Sequence, residues 1–251
     1  MSPVLSIVIP AYCEARRLPA TLEKLDAYVS ASSQTVEVLI VVERSPDATL
    51  ALAREFANGR RGFEVIDNGP QRGKGCAVRA GMLRARGEQV FYMDADLSVP
   101  LAEVAPFLRH LERNPQTSVL IGDRQHAQSR ITRRQSWLRE RMGQTFNRVL
   151  QRLSLVPWKD TQCGFKAFRR DAARAIFSRQ TLEGFAFDVE VLLLATQLGY
   201  KIEALPVEWI NSAESKVRIV RDSLRMLRDA LRMRRIVAAG ERRVGLDRKL
   251  E

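Results

Sequence analysis

Two carboxylates, Asp94 and Asp96, stand one small residue apart directly after the apolar run Gln89–Met93. The run reads as a buried strand, so the pair falls at the rim of a sheet. Nothing in a core accounts for paired charges there, because burying each without a partner costs several kcal/mol. On a rim they suit a hard divalent cation, Mg²⁺ or Mn²⁺, which takes oxygen ligands and bridges to a diphosphate. The rival reading is two solvated loop acids capping the next helix, and for an isolated Asp-x-Asp it would win. Position after a strand favours the metal.

A second group, Gln71-Arg72-Gly73-Lys74-Gly75, precedes a helical stretch. Glycines and cations beside a helix N-terminus can hold a phosphate. The spacing is not that of a Walker A loop, and no Ser or Thr follows Lys74. Cys13, Cys76 and Cys163 are odd in number and share no metal-like spacing. They read as reduced thiols in a cytosolic compartment. Cys163 has no nearby histidine to activate it and reads as packed rather than nucleophilic. Two histidines, His110 and His126, are too few for a zinc-centred enzyme. Trp137, Trp158 and Trp209 could stack on a sugar, although buried anchoring is the commoner role. Trp137, among arginines, also suits a lipid interface.

The elements that must position these residues alternate through the first half. Val4–Ile9, Val36–Val42, Phe63–Asp67, Gln89–Met93 and Ser118–Ile121 read as strands. Arg16–Ser30, Pro46–Asn58, Gly75–Arg86 and Pro100–Arg113 read as the helices between them. Near-continuous Val/Ile/Leu strands predict an α/β fold with a mainly parallel sheet covered on both faces. Ligands bind beyond the carboxyl ends of such strands. Pro10–Glu14, Glu43–Asp47, Asp67–Lys74 and Asp94–Ser98 then share one rim. Beyond Arg124 the alternation loosens. Residues 134–152 read as an Arg-rich helix, Gly164–Arg169 as a strand, Val189–Leu198 as a buried helix and Lys201–Trp209 as strand-like. Lys216–Val237 carries Val217, Val220, Leu224, Leu227 and Leu231 on one face, interleaved with arginines, as an amphipathic basic helix does. The expected division is residues 1–212 as the main domain and 213–251 as a basic C-terminal helix and tail.

Charge adds a constraint. Across 251 residues, 41 Lys plus Arg oppose 29 Asp plus Glu, a net of +12. Residues 124–152 hold eight Arg against one acid, residues 216–251 hold twelve basic against five acidic, and the rest is close to neutral. Two basic zones imply a polyanionic partner, whether nucleic acid, phosphates or an anionic membrane. A solvated face is the plainer alternative. No stretch approaches the ~18 uninterrupted apolar residues of a bilayer-spanning helix. The opening MSPVLSIVIPAY reads as a strand, not a signal peptide.

IPAYCE (9–14), RGKGCAVRAGML (72–83), DADLS (94–98), DTQCGFKAF (160–168) and FAFDVEVLL (185–193) occur in this order. Together they resemble the glycosyltransferases that charge polyprenyl phosphates, dolichyl-phosphate glucosyltransferases first and dolichyl-phosphate mannose synthases next. The resemblance implies a GT-A (Rossmann-like, nucleotide-diphospho-sugar transferase) fold and a metal-dependent, inverting hexosyltransferase. It implies that Pro10, Ala11, Tyr12 and Glu14 line the nucleotide pocket, completed by Asp67 and Lys74. Asp94 would lie near the ribose or diphosphate and Asp96 would hold the metal with it. Arg124, with Arg134 as a second, would face the transferred and acceptor phosphates. Gly164 would begin a strand beneath the acceptor site. Asp188 matches the acidic position where related inverting enzymes place a base, with helix N-capping the alternative. Ser215-Lys216 matches the Ser-Lys of the family's acceptor loop.

The sequence also departs from the pattern. Glu43-Arg44-Ser45 stands where the family usually has Asp-Asp-Gly-Ser, so Glu43 would take over acceptance of a base N–H and Arg44 is out of place. Cys13 replaces a common Asn and Cys76 a Gly, both read as packing choices. Ser98 stands where mannose synthases carry a metal-assisting Gln. Glu190 faces the core or supports Asp188.

The implied reaction is a single displacement at the anomeric carbon, from UDP-glucose to a polyprenyl phosphate. A phosphate with a second pKa of about 6 arrives anionic, whereas a hydroxyl needs a general base. The alternatives are transfer to a saccharide or small-molecule hydroxyl, a donor-binding scaffold without turnover, and a basic nucleic-acid-binding protein. The last lacks an aromatic single-strand platform or a recognition helix. The expected location is cytoplasmic and peripheral at an anionic membrane surface, with the C-terminal helix as a contact between copies.

Overall fold

The computed structural model describes residues 3–133 and 156–210. Strand β1 (Leu5–Ala11) is apolar and almost wholly buried. Helix α1 (Leu18–Ala31) follows, with Pro19 in its first turn, where a missing N–H leaves no bond unmade. Next come β2 (Val36–Arg44), α2 (Thr49–Ala57), β3 (Phe63–Pro70), α3 (Lys74–Arg84) and β4 (Gln89–Met93). A 3₁₀ turn at Leu101–Glu103 leads into α4 (Val104–Arg113), then β5 (Thr117–Asp123) and β6 (Arg130–Arg133). From residue 156 onward lie β7 (Phe165–Arg169), α5 (Arg170–Phe177), α6 (Phe187–Gln197), β8 (Lys201–Pro206) and β9 (Glu208–Ile210).

Seven strands form one sheet in the order β3-β2-β1-β4-β7-β5-β8. Neighbours are parallel except at β7, which runs antiparallel to both β4 and β5. Period-two alternation divides the core into two layers. Ile7, Ile9, Phe91 and Phe165 pack with Leu18 and Leu22 of α1 and Phe107 of α4. On the other face Val8, Val90, Tyr92 and Phe168 pack with Val78 of α3, Phe177 of α5 and Val191 of α6. Both faces are covered, which is why the strands read as apolar runs. The chain winds from β1 outward to β2 and β3, then returns to β4 on the other side of β1. The carboxyl ends of β1 and β4 therefore bound the crevice where such sheets bind ligands.

Several element boundaries differ from the expected ones. Helix α2 starts at Thr49 rather than Pro46, because the Asp47 carboxylate holds the Ser45 hydroxyl and the Thr49 amide and hydroxyl in a turn. The single strand expected over Lys201–Trp209 is two. Pro206, which has no N–H to give a ladder, ends β8, and the Val207 amide donates to Ser129 Oγ instead. The chain then enters β9, which pairs in parallel with β6 in a separate two-stranded sheet. The expected helices at 134–152 and 216–237, together with Arg134, Trp137 and Ser215-Lys216, lie outside the described residues.

Candidate active site

Asp94 is the first residue beyond β4, and its amide donates to the Gly164 carbonyl at 3.1 Å, which ties the turn to the start of β7. The next carbonyl, of Ala95, accepts the Thr21 hydroxyl from α1 at 2.6 Å. Leu97 adopts φ 46°, a left-handed conformation uncommon for a branched residue. The turn is held there because the Leu97 amide returns to the Asp94 carbonyl and the Ser98 amide to Asp96 Oδ1. Two carboxylates are thereby fixed side by side. Asp94 Oδ1 lies 2.6 Å from Lys74 Nζ, and Asp96 Oδ2 lies 3.8 Å from Arg17 Nη1.

Around them the loops from β1, β2 and β3 are knitted together. The Glu14 amide donates to Thr49 Oγ1 at 2.7 Å and the Ala15 amide to Asp47 at 3.1 Å. The Glu14 carboxylate is buried and grips the Arg17 guanidinium at two points, one of them 2.7 Å. Pro10 and Ala11 end β1 and Tyr12 opens this loop, on the rim where β1 lies beside β4. Cys13 has φ 54°, a conformation Asn accepts readily. Cys76, by contrast, is a buried residue of α3.

Glu43 has a different task from the expected acceptance of a base N–H. Its buried carboxylate takes the amides of Arg72 and Gly73 at 3.0 and 2.9 Å. Burial pushes its pKa up, and those amides offset only part of the rise. Asp67 accepts the Gly69 amide at 3.0 Å and pairs with Arg44 and Arg54, both at 3.1 Å. Arg44, out of place in the family pattern, thus neutralises Asp67.

The glycines at 73 and 75 also serve a purpose other than phosphate binding. A Cβ on Gly73 would come within 2.5 Å of the Glu183 carbonyl oxygen, and one on Gly75 within 2.5 Å of the Leu182 carbonyl oxygen. The segment over residues 182–184 lies against this turn, and the Glu183 carbonyl accepts the Gly75 amide at 2.8 Å. The N-terminus of α3 is capped by chain, not held open for an anion. Lys74 is the part of the motif that reaches the site. Burial works to lower its pKa, but Asp94 and Asp188 outweigh that and hold the ammonium charged.

At the end of β5, Arg124 is clamped by Asp160 through Nε and Nη2 at 2.7 and 2.8 Å, with a third bond from its amide. Trp209 is buried, its ring centre 5.7 Å from the guanidinium carbon, so it anchors Arg124 rather than lying open to a sugar. Trp158 packs against the second core layer. Burial opposes the charge on Arg124, yet Asp160 raises its pKa overall. Burial would likewise raise the Asp160 carboxyl, and Arg124 holds it below the usual carboxylate range.

Asp188 sits in the first turn of α6, with Ala186 in the capping position, so N-capping is not its role. It is buried, bonded to Lys166 Nζ and to the Tyr92 hydroxyl, both at 2.5 Å. Glu190 is buried, the core-facing one of its two expected roles, and takes the Thr181 and Leu182 amides at 2.9 and 2.7 Å. Cys163 is packed as expected, its thiol pushed up to about 12 by burial. Sequence reasoning missed Arg17, Asp160 and Lys166. A charged residue inside the apolar strand Phe165–Arg169 was the available signal for Lys166, since a charge there demands a buried partner.

Among the described residues no cluster of three or more His, Cys, Asp or Glu is shaped to hold a metal. The Asp94–Asp96 turn offers two oxygen donors, a set that suits a cation completed by substrate oxygens and water. Among the same residues no helix is long and apolar enough to cross a membrane.

Comparison with known proteins agrees with this arrangement. The profile of Glycosyl transferase family 2 matches residues 6–177. Dolichyl-phosphate beta-glucosyltransferase of Drosophila melanogaster is 34% identical over 230 residues, spanning 85% of this chain and 69% of its own. The protein of that name from Homo sapiens is 32% identical over 224 residues, with the same coverage of each chain. The crystal structure of glucosyl-3-phosphoglycerate synthase from Mycobacterium tuberculosis, in complex with Mn²⁺, UDP and glucosyl-3-phosphoglycerate, superposes with a TM-score of 0.68 at 17% identity. It covers 92% of this chain and 80% of that one. Mannosyl-3-phosphoglycerate synthase from Rubrobacter xylanophilus superposes with a TM-score of 0.66 at 20% identity, covering 97% and 75%. At these identities the two structures speak for the GT-A fold. With the family profile running from β1 through β7 and over the rim turns just described, the chain belongs to glycosyl transferase family 2, among relatives of the dolichyl-phosphate beta-glucosyltransferases.

Proposed function

We propose that the chain moves glucose from UDP-glucose to a polyprenyl or dolichyl phosphate, with inversion at the anomeric carbon and with Mg²⁺ or Mn²⁺ as cofactor. The observation that carries this reading is the fixed Asp94–Asp96 turn facing Lys74 and Arg17, in a chain 34% identical to a dolichyl-phosphate beta-glucosyltransferase. Asp96 and Asp94 hold the cation, which supplies charge neutralisation to the departing nucleoside diphosphate. Lys74 and Arg17 add fixed positive charge beside the same diphosphate. Pro10, Ala11, Tyr12, Glu14 and Asp67 form the nucleoside side of the pocket, with Glu43 bracing the loop that carries Lys74.

Arg124 meets the acceptor phosphate, held in place by Asp160, and Arg134 assists from outside the described residues. A phosphate acceptor needs alignment more than deprotonation. The basic 124–152 and 213–251 segments suit anionic headgroups, so the enzyme works as a peripheral protein on the cytoplasmic side of a membrane. The test is transfer of radiolabelled glucose from UDP-glucose to a short polyprenyl phosphate, with Mg²⁺ or Mn²⁺ and then with excess chelator. Lipid-linked glucose formed only with the cation is the expected result. Transfer from GDP-mannose in preference, or none from any donor, overturns the reading.

A further inference from the structure

Strand β7 carries one fully buried charge. Lys166 is 0% exposed, between Phe165 and Ala167, and lies opposite Tyr92 of β4 in the centre of the sheet. Its ammonium donates to Asp188 Oδ1 at 2.5 Å and to the Cys163 carbonyl at 2.8 Å. The Tyr92 hydroxyl donates to the same Asp188 oxygen at 2.5 Å, and the Lys166 ammonium lies 5.3 Å from the Tyr92 ring centre. A general base must come within hydrogen-bond reach of the group it deprotonates. Asp188 has one oxygen claimed twice and a side chain only 4% exposed.

The same helical turn leads to the reaction rim. Phe187, the neighbour of Asp188, lies against Gly75, whose added Cβ would meet the Phe187 Cβ at 2.7 Å. The Lys74 ammonium lies 5.8 Å from the Phe187 ring centre and 2.6 Å from Asp94. One step further along α6, Glu190 holds the Thr181 and Leu182 amides, and the Glu183 carbonyl caps α3. The first turn of α6 is thus bolted to the sheet on one side and to the base of Lys74 on the other.

We infer that Lys166 and Asp188 form a buried ion pair that sets Lys74 against Asp94, with Asp188 a positioning residue and not the general base of the reaction. The inference rests on the glucosyl transfer proposed above.

The experiment compares Asp188→Asn, Lys166→Met and the double variant in the full chain, reading UDP binding, transfer to a short polyprenyl phosphate and the pH–rate profile. Breaking a buried pair from either side strands the other partner, whereas replacing both is tolerated. Each single variant is expected to lose at least about 10-fold in kcat/KM, chiefly through the donor KM, and the double to recover to within about 10-fold of wild type, because paired residues are coupled. The wild-type pH profile persists in the double variant. Asp188→Asn and the double both falling by more than about 10³-fold in kcat, with UDP binding intact and Lys166→Met active, assigns the proton to Asp188 and overturns the inference. Should a single variant fold poorly, UDP binding decides: binding regained in the double supports the pair, and binding lost in the double but kept in Asp188→Asn overturns it. Wild-type protein that transfers nothing to the lipid phosphate sinks the acceptor assignment alone, and the UDP-binding comparison still decides the pair.

Discussion

The α-carbon of Gly164 lies against the carboxylate of Asp94, so closely that a Cβ at residue 164 would stand 2.0 Å from Asp94 Oδ2. A carboxylate can swing away from such a clash, but here swinging breaks the 2.6 Å contact with Lys74. Gly164→Ala is therefore expected to leave the fold standing and to reduce transfer on the order of 100-fold, the scale of a displaced reacting group. Thermal melting and UDP-glucose titration separate the two effects. Collapse of the melting temperature with donor affinity unchanged in the remaining folded protein would falsify this assignment.

That contact shows what a sequence conceals. The parallel sheet was legible because its inner strands are buried on both faces, so Val38–Val42 and Val90–Met93 read as unbroken apolar runs. The rim was legible for the same reason, since Asp94 and Asp96 interrupt such a run abruptly. The use of the glycines was not. Gly73 and Gly75 look like a phosphate loop, and only the fold brings residues 182–184 onto them from over a hundred positions away. Glu43 and Asp188 likewise read as site acids until their partners Gly73, Lys166 and Tyr92 arrive through space. Net charge alone left a nucleic-acid binder open, whereas five motifs in order did not.

Asp96→Ala tests the cation. The Asp96 side chain accepts the Ser98 amide and lies beside Arg17 on the rim, so little of the core depends on it. The variant is expected to stay folded, to lose transfer, and to bind UDP-glucose with an affinity no longer dependent on Mg²⁺ or Mn²⁺. Calorimetric titration with and without chelator reads this directly. Wild-type turnover in excess chelator is the result that sinks it.

Asp47 predicts an acid-sensitive joint between the first two rim loops. Burial works to raise its pKa, but the Ser45 and Thr49 hydroxyls and the Ala15 and Thr49 amides lower it to about 2. A depressed carboxylate contributes its stability above the unfolded value of about 3.9 and loses it as pH falls through the folded one. Wild-type stability should therefore drop between about pH 4 and 2 by a component missing in Asp47→Asn. The side chain is exposed, so the component is modest. Urea midpoints across that range give the answer, and identical slopes for the two proteins rule the joint out.

Membrane attachment is expected to be electrostatic. The 216–251 segment holds twelve basic against five acidic residues, and each cation near an anionic surface contributes on the order of 1 kcal/mol. Co-sedimentation with liposomes should rise with anionic lipid and fall with salt. Equal partitioning to neutral and anionic vesicles would leave the stripe of Val217, Leu224 and Leu231 to pack on protein instead.

The acceptor is decided at Arg124. Asp160 grips this guanidinium along one edge, through Nε and Nη2, and Trp209 backs it. The eight arginines of residues 124–152 have no common task beside a hydroxyl, whereas a phosphate approaching a diphosphate donor needs such charge. A lysine cannot reproduce the fork that meets Asp160 and a phosphate together. Arg124→Lys should therefore reduce transfer to a polyprenyl phosphate on the order of 100-fold, the scale of one lost charge-stabilising donor, with UDP-glucose affinity nearly unchanged. Asp160→Asn keeps the shape but loosens the clamp, so its loss should appear mainly in the acceptor KM. The matching polyprenyl alcohol is the control for both variants and for the wild type. Comparable transfer to alcohol and phosphate, or wild-type behaviour of Arg124→Lys, removes the lipid phosphate as acceptor and leaves a hydroxyl in its place.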